Sequence, residues 1–553
     1  MSANAAAANG GSRKAGGKSG GAAKAKSGGL PRTAGGHSPW AVALVVALAT
    51  FMEVLDTTIA NVALRYISGG LAVGPDEAAW VVTSYLVANA IALTASSFLA
   101  KRYGRKAFFI ASVALFTVAS LACGFAWNLN SLLLFRVIQG LGGGGMAPLA
   151  QSILADSFPP AKRGQAFALY GLAIVVAPVV GPTLGGWLSD NVSWHWCFLI
   201  NGPVGVIALA LMWWLLEDSE SAVKERKALR KKGVRFDLVG FLLVATFLGS
   251  LEVCLDEGQR KDWFGSPLIQ VFAVLAVISF VAMIPWLLNA KNPAVDLRLL
   301  GKRQFGSCFL VMLATGAILI ATTQFIPQIT QDYYGYTATI SGLVLAPGGL
   351  VTVAMMLVIG QVSGYFQPKW LIATGAAIVA LAMYDLTRIY GDSTFWFFAW
   401  SRIYIGIGLP MIFISITAAS YEGIDKSQTD QASALINVAR NVGGSMGVSL
   451  AQNILAYRSQ FHQSRLSESV TTTSPAYQET MRQVTQYFTV HGTPGVDAQG
   501  QATAWIGQQL ATQTAFFAYI DVFWALCLVS ASAVPLAMIL KRVERGGDAP
   551  AGH

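Results

Sequence analysis

Fourteen apolar stretches, each close to or above the roughly 20 residues that cross a bilayer, follow one another between residues 40 and 541 of this 553-residue chain, and they leave it one class of fold. They lie near 40–64, 77–100, 107–127, 130–154, 164–188, 197–216, 237–254, 267–290, 304–326, 338–364, 369–389, 395–421, 429–455 and 514–541. A segment in lipid has to satisfy its backbone polar groups within itself, so each stretch is predicted as a helix. The fold class that follows is an all-α polytopic membrane protein. Composition agrees: 54% of residues are hydrophobic, 12% are charged and mean hydropathy is +0.53, which excludes a soluble globular chain of ordinary composition.

A net charge of +10 would suit nucleic acid if it were gathered on one domain, but here the basic residues are spread over alternate loops, and no nucleic-acid partner is expected. Most of the 38 Lys and Arg fall on the side of the N-terminus, which by the positive-inside rule places both termini in the cytoplasm. The densest cluster, Lys224, Arg226, Lys227, Arg230, Lys231, Lys232 and Arg235, reads as an orientation determinant beside anionic lipid. Residues 1–39 are too poor in apolar side chains to fold and are read as a disordered basic cytoplasmic tail, with 542–553 as a second cytoplasmic tail. The five cysteines lie in or beside apolar segments without metal-ligand spacing, so neither a metal nor a cofactor is expected.

The stretches fall into two sets of six, 40–216 and 304–541, separated by 217–303, which holds basic loops and two extra spans. Paired bundles of this kind are the repeat units of carriers that rock about a cavity near the bilayer midplane. The long connection 456–513, rich in Gln, Thr and Ser, faces outward in this topology and belongs with the second set. A connection of that length is usually functional; with Gln501–Thr512 reading as a helix, a partly ordered outer cap is predicted.

Charges inside lipid are costly and point to function. The first span carries Glu53 and Asp56, three apart and therefore on one helical face. Two neighbouring carboxylates in a low-dielectric site repel when both are ionised, so one of them is disposed to take up a proton. That is the requirement of a proton-coupling site. The alternative is that Asp56 holds helices together and Glu53 pairs with an arginine. Span four supplies Arg136, with Gln139 on the same face and a glycine run from Gly142 to Gly145; the carboxylates of span one are the natural counter-charges, in a coupling role or as a permanent pair. Between spans two and three, Gly104 permits a tight turn and Lys101, Arg102, Arg105 and Lys106 hold the loop in the cytoplasm.

Span five contains Pro178, Gly181, Pro182, Gly185 and Gly186, a combination built to bend and to pack closely. Tyr85, Asn89, Gln139, Tyr170, Gln324, Tyr384, Tyr404, Asn437 and Arg440 are candidates to line a mostly apolar substrate cavity with a few polar handles. Taken singly, each of the tyrosines and amides also fits simple packing. Glu252 and Asp521 lie near the outer face, where snorkelling explains them as well as coupling does. A membrane enzyme would need nucleophiles or metal ligands at the interface, and His195, the one histidine near a span, has no cluster around it.

The span-five pattern resembles the antiporter signature of the major facilitator superfamily. Leu55-Asp56-Thr57-Thr58-Ile59-Ala60-Asn61-Val62-Ala63, Arg136-Val137-Ile138-Gln139-Gly140, Pro159-Pro160-Ala161-Lys162-Arg163 and Ile200-Asn201-Gly202-Pro203-Val204-Gly205 are similar to the fourteen-span drug:proton antiporters of the EmrB/QacA type, as are Tyr334-Gly335-Tyr336-Thr337-Ala338 and Trp505-Ile506-Gly507-Gln508-Gln509. The resemblance implies two six-helix bundles plus two extra helices, and export of lipophilic compounds driven by proton entry, with Asp56 and Arg136 in coupling roles. It also implies the bacterial inner membrane, a membrane-fusion adaptor similar to EmrA and an outer-membrane channel. Export of one fatty-acid-like metabolite by the same machinery is the alternative. Two departures stand out: Lys101 occupies the place of the usual loop Asp, with Ser97 for a usual Gly, and Glu53 stands where a neutral polar residue is expected.

Overall fold

The computed structural model describes residues 38–218, 223, 226–227, 236–425 and 428–541. The two tails and most of the basic cluster, Lys224, Arg230, Lys231, Lys232 and Arg235, lie outside the described residues. The first set of helices is α1 (Pro39–Leu71), α2 (Pro75–Tyr103), α3 (Arg105–Gly124), α4 (Leu129–Gly143), α5 (Met146–Ser157), α6 (Pro160–Asn191), α7 (Trp196–Leu199) and α8 (Asn201–Leu215). The insert is α9 (Leu238–Glu257) and α10 (Pro267–Asn289). The second set is α11 (Arg303–Asp332), α12 (Ala338–Val362), α13 (Pro368–Leu386), α14 (Phe395–Ser420), α15 (Thr429–Ser467), α16 (Pro475–Val490) and α17 (Gly495–Met538). Six of these helices begin on a proline at the first turn, where the missing N–H would have had no partner.

Among the described residues, 13 helical segments are long and apolar enough to cross a membrane. The expected span at 429–455 is the one left out, and α15 occupies its place, packed against α11 and α17. Its length suffices, but Asp430, Asn437, Arg440 and Asn441 dilute its hydropathy. Two predicted spans are interrupted: the fourth breaks into α4 and α5 at Gly144 and Gly145, and the sixth into α7 and α8 at Ile200.

Within the first set α1 lies along α6, and α4 packs against α2 and α3; within the second, α11 lies along α15, and α14 packs against α12 and α13. The sets meet through α6 on α12 and α15 on α2 and α5. The insert leans on α2. Asp237 ties its base together, accepting from the Gly240 amide at 2.9 Å, the Trp286 indole at 2.9 Å and the Ala294 amide at 3.2 Å. The segment 456–513, expected as a partly ordered outer cap with a helix at 501–512, is more helical than that: α15 continues to Ser467, α16 follows, and α17 begins at Gly495 and includes the expected helix. Polar composition suggested a loop, but a helix leaving the bilayer needs no apolar surface all round, only a neighbour, and α16 has α17.

Candidate functional site

α1 presents its two carboxylates, one turn apart, to different surroundings. Asp56 turns into the first bundle. Its Oδ2 accepts from Arg136 Nη1 at 2.6 Å, and its Oδ1 accepts from Gln139 Nε2 at 2.8 Å and from Asn201 Nδ2 at 2.7 Å. Arg136 also donates through Nη1 to Gln139 Oε1 at 2.8 Å and through Nε to the Val81 carbonyl at 2.9 Å, and its guanidinium lies 4.3 Å from the Tyr85 ring centre. Both charged side chains are 0% exposed. A dry ion pair repays its desolvation only where further hydrogen bonds satisfy the remaining lone pairs, and Gln139 and Asn201 supply them here. Asn201 is itself held by Ser120 Oγ at 3.0 Å. Arg136 Nη2 is left without a partner.

Glu53 faces the seam between the two sets. Asn89 donates to its Oε1 at 3.2 Å, while Oε2 is buried and unpartnered. Tyr85 accepts from the same amide at 3.4 Å. From the opposite set, the positive field of Arg440 acts on Glu53, but the guanidinium makes no ion-pair contact with it: Nη1 donates to the Tyr170 hydroxyl at 3.4 Å and Nη2 to Asn441 Oδ1 at 3.2 Å. The alternative in which Glu53 pairs with an arginine is not what the structure has: the carboxylate meets the Asn89 amide instead.

The seam is closed toward the end where α3 begins. Asn437 donates to Gln151 Oε1 at 3.0 Å, the hydroxyls of Ser152 and Ser433 lie 2.9 Å apart, and Tyr421, stacked on Phe167, reaches Ser433 at 2.6 Å. At the edge Arg105 pairs with Asp156 of its own set and, through Nε at 2.8 Å, with Asp430 of the other. The loop motif places it there. Gly104 adopts φ +101°, a conformation that glycine takes without strain. Lys106 donates to the Trp213 carbonyl at 3.0 Å, and Arg102 points outward. With Lys101 in place of a loop acid, the carboxylates that meet Arg105 come from Asp156 and from Asp430 on α15.

Span five runs as one continuous helix through Pro178 and Pro182. Gly185 lies so close to α1 that a methyl group there would sit 3.2 Å from Ile59 Cα, and Gly181 presses on Thr58. Gly186 is less confined, with Val62 Cγ1 at 4.0 Å from the same construction. α6 therefore rides on α1 one turn beyond Asp56.

Several expectations need correction. Tyr384 and Tyr404 are 41% and 43% exposed, beside Trp524 and Trp400, on the outer surface rather than in a cavity. Gln324 is exposed. Glu252 does not snorkel: it is buried and accepts from Ser445 of α15 at 2.6 Å. Asp521 is held by Arg458 at 2.6 Å and His462 at 2.8 Å, which joins α15 to α17. Sequence reading did not single out Asn201, Ser120, Gln151, Ser433 or Asp430 as site residues. Asn201 stands alone in an apolar run and within the motif at 200–205, and Gln151, beside Ser152, interrupts another apolar run; these are the signals that could have found them.

The Major Facilitator Superfamily model matches residues 46–448. The multidrug export protein EmrB of Escherichia coli strain K12 is 36% identical over 487 residues, covering 87% of this chain and 91% of the relative. The fatty acid resistance protein FarB of Neisseria gonorrhoeae is 34% identical over 523 residues, covering 95% and 99%. In fold, the chain is similar to the human organic anion transporter MFSD10 (TM-score 0.53, 11% identity, 89% of this chain and 99% of that one). The proton:xylose symporter XylE bound to 6-bromo-6-deoxy-D-glucose gives a TM-score of 0.52 at 14% identity, covering 90% and 96%. An all-helical architecture of paired six-helix sets, a buried acid–arginine pair and relatives matched along nearly their whole length lead to one conclusion: this chain belongs to the major facilitator superfamily of transporters, in the group that includes EmrB and FarB.

Proposed function

We propose that the chain is the inner-membrane component of a bacterial tripartite pump, exporting lipophilic and amphipathic compounds by proton antiport through alternating access. The observation that carries this reading is the Asp56–Arg136 pair buried within one half, a single turn from Glu53 at the seam with the other. With both termini cytoplasmic, the end closed by Arg105 and Asp430 is the cytoplasmic one, and the conformation is outward-facing. A proton arriving from outside has two acceptors. On Glu53 it occupies Oε2, where no protein donor competes. On Asp56 it removes the charge that holds Arg136, which keeps Gln139, the Val81 carbonyl and the Tyr85 ring, so α1 can shift against α4. Gly181 and Gly185 transmit that shift to α6, and α6 to α12 across the seam.

The adaptor similar to EmrA would meet the helices beyond the membrane. At about 1.5 Å per residue, α15 and α17 are about 58 and 66 Å long, roughly twice a hydrocarbon core of ~30 Å. Their outer halves, with α16, form a projecting surface of the kind an adaptor needs. A dedicated exporter of fatty-acid-like metabolites is the second reading, favoured by the near-complete coverage of the fatty acid resistance relative. Transport in proteoliposomes under an imposed pH gradient, with a panel of lipophilic acids and cations, tests both. Gradient-dependent uptake of several classes supports the first, uptake of acids alone supports the second, and gradient-independent leakage rejects both.

A further inference from the structure

The second half carries an arginine for which the described residues supply no counter-charge. Arg402-Ile403-Tyr404-Ile405-Gly406-Ile407-Gly408 repeats the spacing of Arg136-Val137-Ile138-Gln139-Gly140-Leu141-Gly142, and each arginine is the eighth residue of its helix. α4 and α14 also occupy matching places, each packed on the second and third members of its set. What meets the two guanidinium groups differs. Arg136 has the Asp56 carboxylate and two further oxygens. Arg402, 5% exposed, donates through Nη1 to the Thr322 hydroxyl of α11 at 3.1 Å, and its buried Nε has no partner. Where α1 offers a carboxylate, α11 offers a hydroxyl. No ion pair among the described residues includes Arg402.

A guanidinium keeps its proton under all physiological conditions, and a bare cation inside a membrane protein is costly unless neutralised. We propose that Arg402 is an anion-binding residue whose ligand is a monoanion. Its source is either the carboxylate head of an exported lipophilic acid or a free chloride ion. The planar fork of donors suits a carboxylate held by two parallel bonds, and Thr322 stands beside it. The acid source rests on the transport reading above; the chloride source does not.

The test uses the purified full-length protein in detergent, in a zwitterionic buffer free of chloride and carboxylates, and follows thermal unfolding against decanoate, decylammonium and chloride. The wild-type midpoint should rise saturably with decanoate or with chloride, and not with decylammonium. Response to decanoate alone identifies the head group of an acid, and response to chloride alone an inorganic anion site. In Arg402→Met the apparent affinity should fall by at least about tenfold, the lower worth of a single hydrogen bond to a charged group. Without added anion that variant should be at least as stable as wild type, because an uncompensated charge has gone. Arg402→Lys should keep part of the response. Absence of any anion response, or an equal response in Arg402→Met, overturns the proposal. Either result leaves proton antiport standing, whereas loss of gradient-driven transport with the anion response intact would sink the transport reading alone.

Discussion

Asp430→Asn should unlatch the end of the seam that Arg105 closes. In the structure Arg105 Nε donates to Asp430 Oδ1 at 2.8 Å, with the two side chains 10% and 5% exposed. A hydrogen bond to a charged group is worth about 1.5–3 kcal/mol. The asparagine keeps an acceptor but loses the charge, and Arg105 keeps Asp156, so the lower half of that range applies. At 1.4 kcal/mol per factor of ten, the open population should rise about tenfold or somewhat more. Ser152→Cys provides the reporter, since Ser152 is 1% exposed and its hydroxyl meets Ser433 across the seam. When opening and closing are fast, labelling by an impermeant maleimide follows the open population. The rate should increase about tenfold when Asp430→Asn is added to the Ser152→Cys background. An unchanged rate would refute the view that this ion pair holds the halves together.

Further outcomes follow from the same geometry. Gly185→Val should lower the unfolding midpoint through overpacking against Ile59, a cost of about 1–3 kcal/mol, whereas Gly186→Ala, with Val62 at 4.0 Å, should be nearly neutral; equal effects in a detergent melt would show that α6 does not depend on this contact. Glu53→Gln should alter the pH profile of transport without abolishing it, and an unaltered profile would make Glu53 structural. Removal of 476–489 within α16 should weaken capture of the adaptor while gradient-driven uptake in proteoliposomes persists; undiminished capture would remove α16 from that role.

The fold was legible because each apolar run matches a bilayer and because backbone polar groups in lipid must be paired within a helix. α15 shows where hydropathy alone falls short, since a span at the seam carries Asp430, Asn437, Arg440 and Ser445 toward other helices rather than toward lipid. The pairing of Arg136 with Asp56 could be inferred because an intramembrane cation requires a counter-charge, and few are within reach. Asn201, Ser120, Gln151 and Asp430 could not be placed. Their contacts join residues up to 325 positions apart in sequence, as Arg105 and Asp430 show, and a lone amide has no periodicity to reveal its partner. Tyr384 and Tyr404 misled because tyrosine suits both a polar cavity and an exposed aromatic surface. In 456–513 polarity masked helices that stand largely clear of the bundle.

Proton movement measured directly in Asp56→Asn tests the coupling account most closely. Proteoliposomes bearing the wild-type protein should show a pH change on adding substrate, in proportion to the substrate moved. With Asp56→Asn, inserted and folded as judged by its melt, that pH change should vanish. A full substrate-stimulated proton flux through the variant would contradict the assignment of Asp56 and, with it, the mechanism built on its pairing with Arg136.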